Sequence, residues 1–260
     1  MPQSLSSRSG LRNYFRLTRT PRYSFLFALP LLVLYETMAA VLASGPRGVR
    51  NGADVMVKSF FIAIAGRYGP IVFAVLLIGG CIWLIWRDRT THVGPMRAKY
   101  FLFMIAESAT LAALFGAVVG TLTAGLLGQF HVTRSLAPQM TVLMLGPADR
   151  LGGLNLVMIS LGAGLYEELL FRVVLVSALA FVAHRAFGWS SRTASIAAAV
   201  TSALIFSAFH YIGPYGDRLA LASFVFRFLS GLAFSALYLL RGFGITAWTH
   251  ALYDLLLLLR

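Results

Sequence analysis

Charge is what this sequence has least of. Only 12% of its 260 residues are Asp, Glu, Lys or Arg, about half the share of an ordinary soluble domain. With 58% hydrophobic residues, a single water-facing fold could not hide so much apolar surface, so a soluble globular protein is excluded. Cysteine is nearly absent. Cys81 stands alone in an apolar run, which excludes a disulfide framework and a thiolate metal cage. It reads as a buried, inert side chain. Alternating ten-residue segments are missing too, and with them the sign of a membrane β-barrel. No repeat of 20–50 residues and no inverted transporter-like repeat is evident. Acids are scarce enough to leave a net charge of +13. The basic residues fall mainly between apolar runs, where anionic lipid and the positive-inside effect account for them. Membrane lipid is therefore the expected partner, and nucleic acid is not.

What is present is a series of long apolar runs. The expected fold class is all-α, a polytopic membrane helix bundle of seven or eight transmembrane helices, because helices satisfy the backbone within lipid. Residues 1–22 carry Arg8, Arg12, Arg16, Arg19 and Arg22 and no acid, and read as a basic cytoplasmic N-terminal tail. The run 24–44 follows. A basic segment before an apolar one resembles a signal peptide, but the run is long and holds Glu36 and Pro30, so it reads as an uncleaved first span. Further runs cover 69–86, 100–128, 151–183, 193–212, 219–240 and 244–259, most of them near the roughly 20 residues a bilayer needs. The 151–183 run is too long for one upright span, so it is tilted, broken or two pieces. The stretch 53–66 is short and fits the interface. The basic loops 87–99 and 184–192 favour a cytoplasmic N-terminus, although 45–68 is also basic. The expected divisions are the tail 1–22, N-terminal spans over 23–150 and a site-bearing bundle over 151–260. The expected location is the plasma (inner) membrane of a bacterium.

An ionisable residue at membrane depth is a candidate functional group by default. These are Glu36, Glu107, Glu167, Glu168, Arg172, His210, Arg227, His250 and Asp254, richest in the last four spans. Glu168 and Arg172 are i and i+4, share a helical face and can pair. Glu167 is rotated about 100° away and is left free for chemistry as a general base. Phe206 lies one turn before His210. His250 and Asp254 are again i and i+4, so the carboxylate can fix the imidazole's tautomer. One free Glu, two His and one Asp could converge, activate water and stabilise an oxyanion. The same set suits a divalent metal such as zinc, and the cofactor is left open between these. Taken singly, each element has a plainer reading: a structural ion pair, an interfacial histidine, a helix–helix hydrogen bond. Arg227 reads as a structural or snorkelling cation, and Glu36 and Glu107 as structural.

Together the motifs match a family pattern. Glu167-Glu168-Leu-Leu-Phe-Arg172, Phe206-Ser-Ala-Phe-His210 and His250-Ala-Leu-Tyr-Asp254 resemble the three motifs of the CPBP intramembrane proteases. That group includes the CAAX prenyl endopeptidases and the bacteriocin self-immunity (Abi) proteins. The stretch 227–242 also resembles the family's penultimate helix, and 29–36 and 50–54 look like segments of some bacterial members. The resemblance covers roughly 160–256. It implies hydrolysis of a peptide bond in a membrane-associated protein or peptide. Glu167 would activate water, His210 would help position it, and His250 and Asp254 would stabilise the oxyanion. Glu168, Arg172 and Phe206 would support the site. It leaves open a metallo- or a metal-free glutamate mechanism. A CAAX-type enzyme would act on a lipidated C-terminal peptide; a bacterial owner would cleave something else. Asp254 departs from the Asn of many members, and an ionised Asp would repel an oxyanion unless protonated, paired with His250 or bound to a cation.

Other protease types fit worse. There is no His-Glu-x-x-His, no Gly-x-Ser-Gly, and the Tyr-Asp and Gly-Asp pairs stand in the reverse order of the paired-aspartate enzymes. Two rival functions remain: a catalytically silent membrane scaffold or self-immunity protein, and a proton-coupled transporter using Glu167 and the histidines as a relay. Oligomeric state is not legible.

Overall fold

Backbone groups in hydrocarbon have no water to bond, so a chain with this many apolar runs satisfies them within helices. The computed structural model describes residues 3–42, 49–91, 96–128, 152–213 and 216–259. Among the described residues every regular element is a helix. They are α1 (Gln3–Thr18), α2 (Pro21–Leu42), α3 (Gly52–Ala65), α4 (Gly69–Thr91), α5 (Ala98–Gly128), α6 (Gly153–Phe187), α7 (Ser191–Phe209), α8 (Leu221–Arg241) and α9 (Phe243–Leu258). Among the described residues six stretches are long and apolar enough to cross a membrane, with α9 as a shorter apolar helix beside them. The protein is an all-α, multi-pass membrane bundle. The boundary expected near 150, and Arg47 in the basic stretch 45–68, lie outside the described residues.

Local chemistry sets several helix ends. Asn51 caps α3 by accepting from the N–H groups of Ala53 and Asp54, as an Asn at that position ordinarily does. Ser190 caps α7 through the N–H of Thr193. Gly188 ends α6 in the left-handed conformation that glycine adopts without a Cβ penalty. The basic segment expected as a tail is helical over Gln3–Thr18. It is anchored where Tyr14 Oη donates to Glu107 Oε2 at 2.5 Å. Burial and that bond push the Tyr14 phenol up from its ordinary value.

Two features position everything else. The first is α9. Its 16 residues rise only about 24 Å, yet it contributes to all three apolar clusters. Ala247 and Ala251 pack among α2, α3 and α6, Ile245 among α1, α2 and α5, and Tyr253 and Leu257 against α5 and α8. The second is α6. The long run expected to be tilted, broken or double is one continuous helix of 35 residues, about 50 Å at the usual rise. Its middle is wound as π-helix over Ala163–Glu167 and Leu169–Val176. Such widened turns gather at functional sites, because they re-aim side chains without ending the helix.

The outer surface is apolar. On α4, Ile71, Val75, Leu76, Ile78, Ile82, Trp83 and Trp86 are all exposed. So wide an exposed apolar face fits lipid and not water. Cys81 sits on this helix and is only partly buried. The expectation of a buried thiol is corrected, because α4 packs on few neighbours.

Candidate functional site

The site forms where the π-wound middle of α6 meets α9, the end of α7 and the start of α3. Close approach of α6 and α9 depends on Gly164. A Cβ there would stand 2.4 Å from the carbonyl oxygen of Ala247 and 2.7 Å from the Cβ of Ala251. One residue before Ala251 comes His250, and one turn beyond Gly164 comes Glu168. The glycine therefore lets these two side chains meet.

Glu168 is fully buried. Its Oε1 lies 2.7 Å from His250 Nδ1, and its Oε2 lies 3.1 Å from Arg172 Nε. Arg172 is as deeply buried and is boxed by aromatic rings. Its guanidinium carbon lies 4.4 Å from the Phe206 ring centre and 5.5 Å from that of Phe234. Desolvated cation–π contacts of this kind are worth up to about 2 kcal/mol. Phe206 also meets the His210 ring edge-on at 4.8 Å, while Phe234 stacks on His250 at 4.4 Å. The aromatic side chains thus hold a cation and two imidazoles in place.

Glu167 has different company. It is 7% exposed, and its Oε1 accepts from the carboxamide Nδ2 of Asn51 at 2.9 Å. His210, His250 and Arg172 lie within reach of its charge. At His210, Nδ1 stands 2.8 Å from the Phe206 carbonyl oxygen. A carbonyl only accepts, so Nδ1 carries the proton and Nε2 is left as the accepting nitrogen.

Asp254 lies beside His250, as the i,i+4 spacing predicts, without a hydrogen bond to it. Its Oδ2 stands 3.6 Å from His250 Nε2, beyond hydrogen-bond range. The tautomer of His250 is set by Glu168 on the Nδ1 side. Asp254 is 27% exposed, and His210 is also only part-buried, so the cluster is open at this end. Arg227, read as a structural cation, pairs with Asp217 in the α7–α8 loop. That loop is tied back by Asp217 N–H donating to the His210 carbonyl at 2.9 Å. Burial pushes the Asp217 carboxyl up, and Arg227 offsets this only in part.

Charges that the sequence suggested were loop or structural residues form a second network beside Glu167. Arg50 donates to Asp54 at 2.6 Å and to Glu36 at 2.9 Å, Lys58 reaches Glu36 at 2.9 Å and Asp54 at 2.7 Å, and Tyr166 donates to Glu36. Burial works against the Arg50 charge, but these carboxylates outweigh it and push the guanidinium above its ordinary value. Glu107 is held apart from the cluster by Arg241, at 2.6 and 2.7 Å.

Among the described residues, no three His, Cys, Asp or Glu side chains stand where they could jointly hold a metal ion. Glu168 already occupies His250 Nδ1, and Asn51 occupies one oxygen of Glu167. Among the described residues these side chains form no ready-made three-ligand metal centre.

Carboxylates and imidazoles gathered in a helical membrane bundle offer the chemistry of a hydrolase or of a proton relay. A family comparison narrows it: residues 150–256 match the family described as Rce1-like, type II CAAX prenyl endopeptidase. That segment carries all three motifs and is similar to that family of membrane proteases. No curated protein and no solved structure matches the chain.

Proposed function

We propose that the protein is an intramembrane endopeptidase that cleaves a membrane-associated peptide with water activated by Glu167. The observation that carries this reading is the contrast between two adjacent carboxylates. Glu168 is engaged by Arg172 and His250. Glu167 is held by one neutral amide and faces two imidazoles. A base must be held in place and still have an oxygen to give.

In this reading water lies between Glu167 and His210. His210 Nε2 accepts one O–H and orients the molecule, and Glu167 takes the other proton as the oxygen attacks the peptide carbonyl. The resulting oxyanion is held by His250, doubly protonated between Glu168 and Asp254, donating from Nε2. Collapse of the tetrahedral species breaks the C–N bond, and Glu167 returns its proton to the leaving nitrogen. Each such contribution is worth about 10²–10⁴ in rate. The family match makes a lipidated, CAAX-like C-terminal segment the first substrate class to try. Loss of cleavage to a chelator and its return with zinc would instead favour a metal-dependent mechanism.

The test compares peptide termini in membranes of source cells that lack the gene and are complemented with wild type or Glu167→Gln at matched abundance. New ends should appear with wild type and vanish with Glu167→Gln. Identical end profiles for the two would sink the protease reading and favour a scaffold.

A further inference from the structure

Asn51 lies well outside the segment that matches the family, is 3% exposed, and has both ends of its amide committed. Its Oδ1 accepts from Ala53 N–H at 2.9 Å and Asp54 N–H at 3.4 Å. An amide whose oxygen faces two backbone donors must turn its NH₂ the other way. There Nδ2 donates to Glu167 Oε1 at 2.9 Å. The start of α3 therefore fixes the direction of the donor. Its backbone is fixed as well. Asn51 N–H donates to Tyr35 Oη at 3.3 Å, and Tyr35 donates to Asp54 Oδ2 at 2.7 Å. The fit depends on Gly162, where a Cβ would stand 2.8 Å from the Asn51 Cβ and 2.4 Å from the Tyr35 ring.

We infer that Asn51 is a positioning residue for Glu167: its amide holds Oε1 so that the other oxygen is presented to the reacting water. This rests on Glu167 being the base. The terminal torsion of a glutamate is broad and weakly restrained, so an unanchored carboxylate would sweep past the productive geometry. A displacement of about 1 Å can cost about a hundredfold in rate. The first half of the chain then takes part in the reaction through one amide, presented by a helix start that the charges of Arg50, Glu36, Asp54 and Lys58 lock to α2.

Asn51→Ser keeps a good helix cap and removes the amide donor. Asn51→Asp also caps, and offers an acceptor where Glu167 needs a donor. Two readouts separate positioning from capping. In the termini comparison, both variants should accumulate cleaved ends about ten- to a hundredfold more slowly than wild type, with the thermal midpoint of Asn51→Ser in detergent close to wild type and that of Asn51→Asp lowered by the second buried carboxylate. In infrared spectra, the carboxyl band that disappears in Glu167→Gln should shift in Asn51→Ser. Wild-type cleavage by either capped variant, beside an inactive Glu167→Gln, would overturn the inference and leave the protease reading intact. So would an unshifted band, or misfolding of Asn51→Ser, which would assign Asn51 to a structural role alone. If wild type yields no new ends, or Glu167→Gln cleaves as wild type does, the base assignment itself fails and takes the inference with it.

Discussion

Glu167 and Glu168 are neighbours in the chain with opposite surroundings, and the difference can be measured in stability as well as in activity. Removing one partner from a buried ion pair leaves an uncompensated charge and costs about 3–5 kcal/mol. Arg172→Met, which keeps much of the volume but no charge, should lower unfolding stability in detergent by about that amount, since Glu168 is fully buried. Glu167→Gln should cost under about 1 kcal/mol, because its amide oxygen can still accept from Asn51. The spacing of Glu168 and Arg172 was legible in the sequence, since i and i+4 meet on any helix. The same rule brought His250 and Asp254 within 3.6 Å of each other. Spacing brings two side chains close, but the partner from another helix, Glu168, has the shorter bond. Asn51 was not legible as a site residue. Its bond to Glu167 spans 116 residues, and no local pattern encodes a contact of that kind.

At the scale of elements, the crossing of α6 and α9 decides whether the site assembles. Gly164→Ala would drive a methyl group into the Ala247 carbonyl, a backbone atom that cannot swing aside. Overpacking of this kind costs about 1–3 kcal/mol, so the thermal midpoint should fall and cleavage with it. Gly120→Ala on α5 is the matched control. Nothing lies within 4 Å of the Cβ it would add, and helix propensity alone predicts up to about 1 kcal/mol of gain. Hydropathy marked α6 as too long for one upright span, and it is continuous over 35 residues. Its π-wound middle was not legible, because an unbroken apolar run carries no periodicity that could distinguish 3.6 residues per turn from a wider winding.

For the whole molecule, the apolar exterior makes a claim about solvent. Cys81 is the sole cysteine and sits part-exposed on α4, whose outward side chains are large and apolar. Thiols react as thiolates, which hydrocarbon disfavours. A charged maleimide should leave Cys81 unlabelled in intact membranes and label it after denaturation. Rapid labelling in the bilayer would mean that α4 faces water. Composition alone revealed this scale of the structure, because the solvent of a chain is set by its average residue. The placement of α9 at the centre was less apparent. It is shorter than any of the candidate spans, and its importance lies in small residues, Ala247 and Ala251, that let neighbours close in.

The pairing of Glu107 with Arg241 also bears on how the protein is made. The two residues are 134 positions apart, and a ribosome adding about 5–20 residues per second delivers the acid on the order of ten seconds before the base. During that interval α5 must wait in the insertion machinery, or in the bilayer, with a carboxyl group that has no cation to answer it. Glu36 meets Arg50 after only 14 residues and faces no comparable delay. Biogenesis should therefore be most exposed to surveillance between α5 and α8, and chains that stall in that window should be the ones handed to quality control.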